Sequence, residues 1–193
     1  MNIPQLETER LIVREFVLAD LDARRRLLLD AFGSAPSIEE SANWMTWTVL
    51  NGPELARLHQ PPYGDRAVIV KSTGTLIGSV GLVPQMIPWG VLPNYRAPDE
   101  IPHTFTSPEF GLFWAIESSH RGNRYAAEAA QLIIDYVFNV LRACRIVATT
   151  AYHNHASQRV MTKLGMRIEH NPGKEPFWFQ VVGVLDNPQY LAL

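Results

Sequence analysis

The sequence predicts an α/β domain with a mixed sheet flanked by helices, and two observations support this prediction. First, an alternating apolar segment, residues 110–116, leads into helical spacing over residues 126–141 and then into a β-rich segment, residues 145–150. A strand, a helix and a strand in succession require a parallel pair with a right-handed crossover. Second, residues 66–71 and 76–83 are β-rich and are joined by Ser-Thr-Gly-Thr, which is typical of an antiparallel hairpin.

Length and composition favour a single domain spanning residues 1–193. A chain of 193 residues is long enough for one proper core and short for two. The formal net charge of −2 provides no broad basic surface for nucleic acid. The first residues lack the apolar stretch of a signal peptide, and no apolar run reaches the ~18 residues of a membrane span. We therefore expect neither nucleic acid nor a membrane as a partner.

The number of cysteines indicates the redox environment in which the protein is expected to work. The single cysteine, Cys144, excludes an internal disulfide and favours a reducing, cytoplasmic location. Because it lies between a predicted helix and a predicted strand, we expect Cys144 to be a small core residue rather than a nucleophile.

The first part of the chain is predicted to contain one strand and two helices. Residues 11–14 form an apolar strand segment, and residues 20–32 have helical spacing that ends at Gly33. Ser37 and Glu40 have the spacing of a capping box, and apolar residues then recur every three or four positions. A second helix therefore begins after Ser37.

Residues 84–108 are the least regular segment, an irregular Pro-rich loop with prolines at 84, 88, 93, 98, 102 and 108. Proline removes a backbone donor, so this segment is expected to form neither a helix nor a central strand. Two alternatives stay open for it. It is a lid or binding loop, as long connections often are, or it is a disordered surface insertion.

The last part of the chain is predicted to contain a short helix and two closing strands. Asn154 is well placed to cap a helix that stops at Gly165, with Ser157 at its third helical position. Residues 166–170 and 177–184 have the pattern of closing strands, and Asn-Pro-Gly-Lys separates them.

The loop between the predicted strand 110–116 and the following helix has the features of a phosphate-binding site. The first turn of a helix carries unpaired N–H groups and the positive end of the helix dipole. Gly122 would let a ligand approach closely, and His120, Arg121 and Arg124 lie beside it. A strand, a glycine turn and a helix also occur in many α/β domains without an anion site, so a purely structural role stays open.

The run Arg-Gly-Asn-Arg-Tyr-Ala-Ala-Glu-Ala, residues 121–129, resembles the acyl-CoA pyrophosphate loop of the GNAT superfamily of N-acetyltransferases. The branch it resembles is that of the ribosomal-protein-alanine acetyltransferases, whose opening Thr-Glu-Arg-Leu also matches residues 8–11. Two positions depart from the pattern: Ser119 stands where Gln or Arg is usual, and Arg124 replaces a small residue. The backbone at Arg124 must therefore adopt the geometry of the loop without a glycine.

A second segment, residues 154–166, resembles the other signature of this family, Asn-x-x-Ser/Ala followed by a helix that ends in Lys-x-Gly-Phe. Together with the element order, the resemblance covers nearly the whole chain. It implies the GNAT fold, a central mixed, mostly antiparallel twisted sheet with a splayed parallel strand pair and flanking helices.

The resemblance implies transfer of an acetyl group from acetyl-CoA to a primary amine, either a protein N-terminus or a small amine, by direct attack and without a metal. A backbone N–H near Ile116 is the implied donor to the oxyanion. Relatives are often dimers, so a homodimer is a further expectation. The implied contacts to acetyl-CoA come from Ala115, Ile116, Arg121, Gly122, Asn123, Arg124, Tyr125, Ala126 and Asn154.

The resemblance also suggests two catalytic residues. Glu109 is the first candidate for the base, because an alkyl ammonium with a pKa of about 10.4 must lose a proton before it attacks. His153 and His155 are alternatives, and a surface role for all three stays open. Many members of the family protonate the departing thiolate with a tyrosine at the position of Met161, and methionine cannot do this. Ser157 is the implied substitute, with helix capping as its other role.

Two function classes follow from these residues. The first is an acetyl-CoA-dependent N-acetyltransferase. The second is a non-catalytic acyl-CoA-binding or interaction module on the same fold, which the joint departures at Ser119, Arg124 and Met161 suggest. Turnover with an amine acceptor separates the two classes.

Overall fold

Alternating apolar segments form the strands of one mixed sheet in the computed structural model, which describes residues 2–192. Within that range the strands are β1 (Leu6–Glu7), β2 (Leu11–Glu15), β3 (Gly64–Val70), β4 (Thr75–Ile87), β5 (Ser107–Ile116), β6 (Arg145–Thr150), β7 (Arg167–His170) and β8 (Val181–Asp186). They lie in the order β1-β2-β3-β4-β5-β6-β8-β7, and β5 and β6 run parallel. The predicted α/β fold with a mixed sheet is confirmed.

The helices begin and end close to the signals in the sequence. They are α1 (Leu21–Phe32), α2 (Ile38–Arg57), α3 (Tyr125–Asn139), α4 (His155–Lys163) and α5 (Pro188–Leu191). Gly33 ends α1 in a left-handed conformation, and Ser37 begins α2 with the predicted capping box to Glu40. None of the helices within residues 2–192 is both long enough and apolar enough to cross a membrane.

Contacts between residues divide the chain into two compact units. The first unit contains the residues up to Val83 together with Phe113–Tyr136. The second unit contains Pro84–Leu112 together with the residues from Val137 onward. The single domain expected for residues 1–193 stays a prediction.

The core of the first unit lies between α1, α2 and the strands β2, β3 and β4. Phe16 and Met45 are almost fully buried there, and the ring of Trp44 packs edge-on against Phe16 with centroids 5.7 Å apart. The guanidinium of Arg24 lies 3.2 Å from the centroid of the Trp44 ring. Helices α1 and α2 are thus fixed to one face of the strands by aromatic packing.

The core of the second unit includes part of the Pro-rich segment. Ile87 and Leu92 are fully buried there together with Phe179, and Trp89 and Tyr95 pack against this cluster. Strand β4 continues through Pro84 to Ile87, and short 3-10 helices follow at Trp89–Val91 and Pro93–Tyr95. The expectation that residues 84–108 form no central strand is wrong at both ends, because residues 84–87 extend β4 and residues 107–108 begin β5, and both strands lie inside the sheet. Pro84 is tolerated next to β3 because the pairing of β3 with β4 ends at Leu82, before the proline. The alternative of a disordered surface insertion is therefore wrong for residues 84–95, because apolar side chains anchor them. Residues 96–106 contain no helix or strand.

The parallel pair is short. Phe110 pairs with Ile146 and Gly111 pairs with Val147, and the pairing ends there although β5 continues to Ile116 and β6 to Thr150. Five other ladders are antiparallel: β1 with β2, β2 with β3, β3 with β4, β6 with β8 and β7 with β8. This is the mostly antiparallel sheet with a splayed parallel pair that the resemblance implied.

Cys144 corrects one expectation. Its thiol is free and the residue is exposed, in the turn between α3 and β6. The backbone rather than the side chain is held, because the carbonyl of Cys144 accepts a hydrogen bond of 2.8 Å from the N–H of Asn187. The prediction of a small core residue is wrong, since position between a helix and a strand does not by itself determine burial.

The junction between β2 and α1 depends on the buried carboxylate of Asp20. Its two oxygens accept hydrogen bonds of 2.6 and 2.9 Å from Arg14, and one of them also accepts from the N–H of Val17 at 2.9 Å. Burial raises the pKa of Asp20, but the hydrogen bonds from Arg14 and Val17 outweigh burial and leave the pKa below its usual value. The bonds therefore favour the charged form in the folded state.

Replacing Asp20 should destabilise the protein in a pH-dependent way. Because the pKa is lowered in the folded state, the stabilisation is present above the unfolded pKa of about 3.9 and is lost as the pH falls through the folded value. We expect Asp20→Asn to lower the free energy of unfolding by about 1.5–3 kcal/mol at pH 7, and the deficit to shrink below about pH 4. Urea unfolding from pH 7 to pH 3 measures both.

The matched control is Asp22→Asn, which removes an exposed carboxylate from the same helix. Its effect on the free energy of unfolding should stay within about 0.5 kcal/mol. A deficit of Asp20→Asn that does not change with pH would contradict the assigned role of the carboxylate.

Candidate functional site

The loop between β5 and α3 is organised as the sequence predicts. Strand β5 ends at Ile116, a 3-10 helix follows at Ser118–His120, and α3 begins at Tyr125 after an exposed turn. Ser119, which departs from the usual pattern, is exposed, and its hydroxyl lies 3.0 Å from Nδ1 of His120. The turn at 121–124 therefore leads directly into the first turn of a helix of 15 residues.

A run of backbone N–H groups is unpaired at this helix start. The N–H groups from Gly122 through Ala127 donate no hydrogen bond to any of residues 2–192, and the first paired one is that of Glu128, which donates to the carbonyl of Arg124 at 3.0 Å. The first N–H groups of any helix lack a partner within the helix, and they carry the positive end of its dipole. Here the unpaired run also extends back into the loop. The arrangement is suited to an anion with several oxygen atoms.

Two residues in the run of unpaired N–H groups have a left-handed backbone conformation. Gly122 has a φ of 82° and Arg124 has a φ of 67°. A Cβ atom at Gly122 would meet no atom within 4 Å, so its backbone conformation, not crowding by the protein, favours glycine. Arg124 adopts the same region with a side chain, at a cost of about 1–2 kcal/mol for an L-residue. A long side chain at position 124 is therefore compatible with a left-handed backbone in this loop.

The two arginines of the loop differ in their partners. Nε of Arg121 donates to the carbonyl of Ile116 at 3.0 Å, and its guanidinium lies 3.9 Å from the carboxylate of Asp30. Arg121 thus links the loop to the end of β5. The exposed side chain of Arg124 makes no hydrogen bond or ion pair with any of residues 2–192. Arg124 is the cation of this loop that has no partner within the described part of the chain.

Asn123, Tyr125 and Ala126 complete the turn. The side-chain amide of Asn123 donates to the carbonyl of His120 at 3.1 Å, which closes the loop on itself. Tyr125 and Ala126 are half-buried in the first turn of α3. The loop is therefore held by its own hydrogen bonds as well as by its neighbours.

The end of β5 approaches β4 closely within the first unit. Ala115 and Ile116 are buried, and a Cβ atom on Gly78 would lie only 2.4 Å from the carbonyl oxygen of Ala115. The N–H of Glu117 donates to the carbonyl of Ile77 at 2.8 Å. Only a glycine at position 78 allows this approach, which fixes where β5 ends and the loop begins.

The residues that hold the loop from outside are not among the predicted site residues. Nε of Arg10 donates to Glu128 at 3.0 Å, and Oγ1 of Thr8 donates to the same carboxylate at 2.5 Å. At the other end, Asp30 accepts from both the N–H and the hydroxyl of Ser118 at 2.5 Å, and these bonds lower the pKa of Asp30. The signal for Arg10 and Glu128 was present in two matching sequence runs, but their contact spans 118 positions.

The second unit contains the predicted cap of α4. Oδ1 of Asn154 accepts from the N–H of Ser157 at 3.1 Å, so Asn154 is the N-cap residue. The half-buried side chain of Ser157 makes no hydrogen bond with any of residues 2–192, since only its backbone takes part in the cap. The hydroxyl of Ser157 is thus not needed for helix capping.

Glu109 lies near the start of β5, in the part that belongs to the second unit. Its half-buried carboxylate accepts from the indole N–H of Trp89 at 3.1 Å and lies 3.5 Å from the hydroxyl of Ser107. The guanidinium of Arg145 lies 5.1 Å from the centroid of the Trp89 ring. The Pro-rich segment therefore positions this carboxylate through Trp89.

The remaining residues singled out in the sequence are two histidines and a methionine. His153, which precedes α4, and His155, its first residue, are both exposed. Met161 is fully buried, and its sulfur would lie 3.1 Å from a Cβ atom on Gly183, so it packs in the core of the second unit. No group of three or more His, Cys, Asp or Glu side chains within residues 2–192 is arranged to hold a metal ion.

The structure thus gathers the predicted residues into two sets. Ala115, Ile116 and the turn 121–126 lie together in the first unit, whereas Glu109, Asn154 and Ser157 lie in the second. Chemically, the first set offers backbone donors and positive charge to an anion. The second set offers a carboxylate that can accept a proton and a hydroxyl that can donate one.

Known proteins include relatives that are similar to this chain in sequence. The protein YkkB of Bacillus subtilis (strain 168) is 29% identical over 153 residues, which is 78% of this chain and 73% of YkkB. The N-acetyltransferase YnaD of the same organism is 38% identical over 65 residues, which is 34% of this chain and 38% of the length of YnaD. This second similarity is therefore local, and it spans well under half of each chain.

Solved structures share the fold. The ribosomal-protein-S5-alanine acetyltransferase from Vibrio fischeri has a TM-score of 0.68 at 18% identity, with 96% of this chain and 98% of that chain covered. An acetyltransferase from Agrobacterium tumefaciens str. C58 has a TM-score of 0.66 at 22% identity, with 96% and 95% covered. At these identities the similarity demonstrates the fold alone.

The family comparison covers most of the chain. Residues 10–167 match the domain described as "Acetyltransferase (GNAT) domain", a range that includes the whole β5–α3 loop and α4. Because this match extends over far more than half of the sequence, the protein belongs to the GNAT acetyltransferase domain family.

Proposed function

We propose that this protein transfers the acetyl group of acetyl-CoA to a primary amine by direct attack of the amine. Membership of the GNAT family supports acetyl transfer as the reaction class. The observation that carries the proposal is the unpaired run of N–H groups from Gly122 through Ala127. A diphosphate presents several acceptor oxygens and two negative charges, which this run and the adjacent helix dipole favour.

The turn 121–126 would hold the diphosphate of the cosubstrate. We infer from the left-handed conformations at Gly122 and Arg124 that successive N–H groups of the turn can converge on one anion, as in other anion-binding nests. Arg124 contributes an exposed guanidinium with no partner among residues 2–192, whereas Arg121 is already bonded to Ile116. Ala115, Ile116 and Asn154 stay proposed contacts of the same cosubstrate. Acetyl-CoA supplies the thioester whose acyl carbon reacts.

The chain must also take a proton from the acceptor and give one to the departing thiolate. We assign the first task to Glu109, because its carboxylate is half-buried and oriented by the indole of Trp89. We assign the second to Ser157, whose hydroxyl is not used in the helix cap. A backbone N–H near Ile116 stays the proposed oxyanion donor, which in other enzymes contributes about 3–4 kcal/mol.

The acceptor is proposed as a protein N-terminus or a small primary amine. The neighbour from Vibrio fischeri is described as acting on alanine of ribosomal protein S5, and it covers nearly the whole of this chain. That description makes peptides that begin with alanine the first acceptors to test, with small primary amines beside them.

Replacing Gly122 should abolish cosubstrate binding. In Gly122→Val the side chain would enter the open space beside the unpaired N–H groups, where the phosphates are proposed to lie. We expect calorimetric titration with acetyl-CoA to give no detectable binding, compared with micromolar binding by the unaltered protein.

Gly33→Val is the matched control for strain. Gly33 also has a left-handed φ, 75°, and open space around it, but it lies at the end of α1. Both variants should lose at least about 1–2 kcal/mol of unfolding free energy, and Gly33→Val should bind acetyl-CoA normally. Undiminished binding by Gly122→Val would mean that the phosphate site lies elsewhere.

Replacing Ser157 should slow turnover without affecting binding. Ser157→Ala keeps the backbone N–H that Asn154 caps, so its stability should stay within about 0.5 kcal/mol of the unaltered protein. We expect kcat to fall by about tenfold or more, at the lower edge of general-acid effects because a CoA thiol leaves readily. Release of free CoA thiol with an accepted amine measures kcat.

Ser157→Thr is the control that keeps a hydroxyl, and it should retain most of the turnover. A kcat of Ser157→Ala equal to that of the unaltered protein would remove Ser157 from the mechanism. If the unaltered protein binds acetyl-CoA but no amine in a broad panel is acetylated, the non-catalytic acyl-CoA-binding module is the better description.

Replacing Glu109 should remove the base. Gln at this position still accepts a hydrogen bond from Trp89, so Glu109→Gln isolates the loss of the carboxylate. We expect kcat/KM for the amine to fall by about a hundredfold, while calorimetry gives an unchanged affinity for acetyl-CoA. Glu100→Gln, the same change at an exposed position of the Pro-rich segment, should have no effect on kcat/KM. An unchanged kcat/KM in Glu109→Gln would move the assignment to His153 or His155.

A further inference from the structure

Arg10 contacts the proposed phosphate loop at three positions. Its guanidinium forms an ion pair with Glu128, with Nε 3.0 Å from the carboxylate and one terminal nitrogen closer still. The same terminal nitrogen donates to the carbonyl of Asn123 at 3.1 Å. The guanidinium carbon lies 4.7 Å from the centroid of the Tyr125 ring. One side chain thus holds the last turn of the loop and the first turn of α3.

Thr8 fixes the position of Arg10. Its hydroxyl oxygen accepts from the N–H groups of Arg10 and Leu11 at 3.1 and 2.9 Å and donates to the carboxylate of Glu128 at 2.5 Å. The turn between β1 and β2 therefore presents one hydroxyl and one guanidinium to the same carboxylate. The bond to Glu128 raises the pKa of Arg10, and an arginine guanidinium is in any case charged at neutral pH.

Glu128 creates an electrostatic conflict at this site. It lies in the first turn of α3, where the helix dipole stabilises a negative charge. A diphosphate would bind at the same helix end, so an uncompensated Glu128 would repel it. Arg10 forms an ion pair with this carboxylate and neutralises it. Within residues 2–192, no side chain of the loop itself forms an ion pair with Glu128.

We propose that Arg10, oriented by Thr8, is a positioning residue for the cosubstrate: it neutralises Glu128 and fixes the carbonyl of Asn123, so that the unpaired N–H groups of the loop face an anion without repulsion from the helix. This inference rests on the proposed function, because it explains how the same loop accepts acetyl-CoA. It assigns a role to residues before β2 that have no chemical part in acetyl transfer.

Charge substitution and calorimetry test the proposal. Arg10→Gln leaves one net negative charge at the helix start, and we expect the Kd for CoA to rise by roughly three- to thirtyfold. Adding Glu128→Gln restores neutrality, and we expect the Kd of the double variant to return to within about threefold of the unaltered protein. The loss in Arg10→Gln should also shrink in ~1 M salt, where charges are screened over about 3 Å. A merely structural role would predict neither the recovery nor the salt dependence.

Two further variants keep the test decisive. Arg57→Gln is the matched control, because it breaks the exposed pair with Glu54 on α2 and touches no part of the loop; its Kd should not change. Should Arg10→Gln fail to fold, Thr8→Val removes only the hydroxyl that contacts Glu128, and its Kd should rise about two- to threefold.

Each outcome bears on the inference. A Kd of Arg10→Gln, or of Thr8→Val in its place, equal to that of the unaltered protein overturns the proposal, and so does a double variant that binds as weakly as Arg10→Gln. Both results leave the proposed function intact, because the unaltered protein still binds CoA. If the unaltered protein binds no CoA at millimolar concentration, the proposed function fails and this inference fails with it.

Discussion

The site depends above all on one constraint: the N–H groups at the start of α3 must stay unpaired within the protein so that a ligand can accept from them. A free loop would turn these groups toward its own carbonyls or toward water. Here the loop is closed by Asn123, tied to the end of β5 by Arg121, and held from outside by Asp30 and Arg10. The donors are therefore organised before any ligand arrives, which reduces the entropy that binding must offset.

Arg124 shows how such a loop tolerates a change in its usual pattern. The family pattern has a small residue there, and in this protein Arg124 combines a left-handed φ of 67° with a long side chain. Because the side chain is exposed, the cost is limited to the backbone, about 1–2 kcal/mol. In exchange, the loop gains a guanidinium next to the unpaired N–H groups. The departure that suggested a lost function is thus compatible with an intact anion site.

The second unit illustrates the opposite situation, in which irregular sequence becomes ordered structure. Prolines prevent the segment after β4 from forming a long helix or strand, yet the segment is anchored because Ile87 at the end of β4 and Leu92 within the segment are fully buried. This burial places the indole of Trp89 next to Glu109. In the same unit, Asn154 caps α4 alone, which leaves the hydroxyl of Ser157 available. These are the carboxylate and the hydroxyl to which we assign the proton transfers of the proposed reaction.

Local sequence was enough to predict the strand, helix and strand unit around the loop, the hairpin, the helix caps at Gly33, Ser37 and Asn154, and the glycine turn at Gly122. Each of these features depends on residues only a few positions apart. Local sequence could not determine the burial of Cys144 or of the Pro-rich segment, since burial depends on which distant surfaces meet. Nor could it give the partners of Glu128 and Ser118, because Arg10 and Asp30 lie 118 and 88 positions away in the chain. Local hydrogen bonds and hydrophobic periodicity can be predicted from short stretches of sequence. Long-range ion pairs form only after the tertiary structure has brought their partners together.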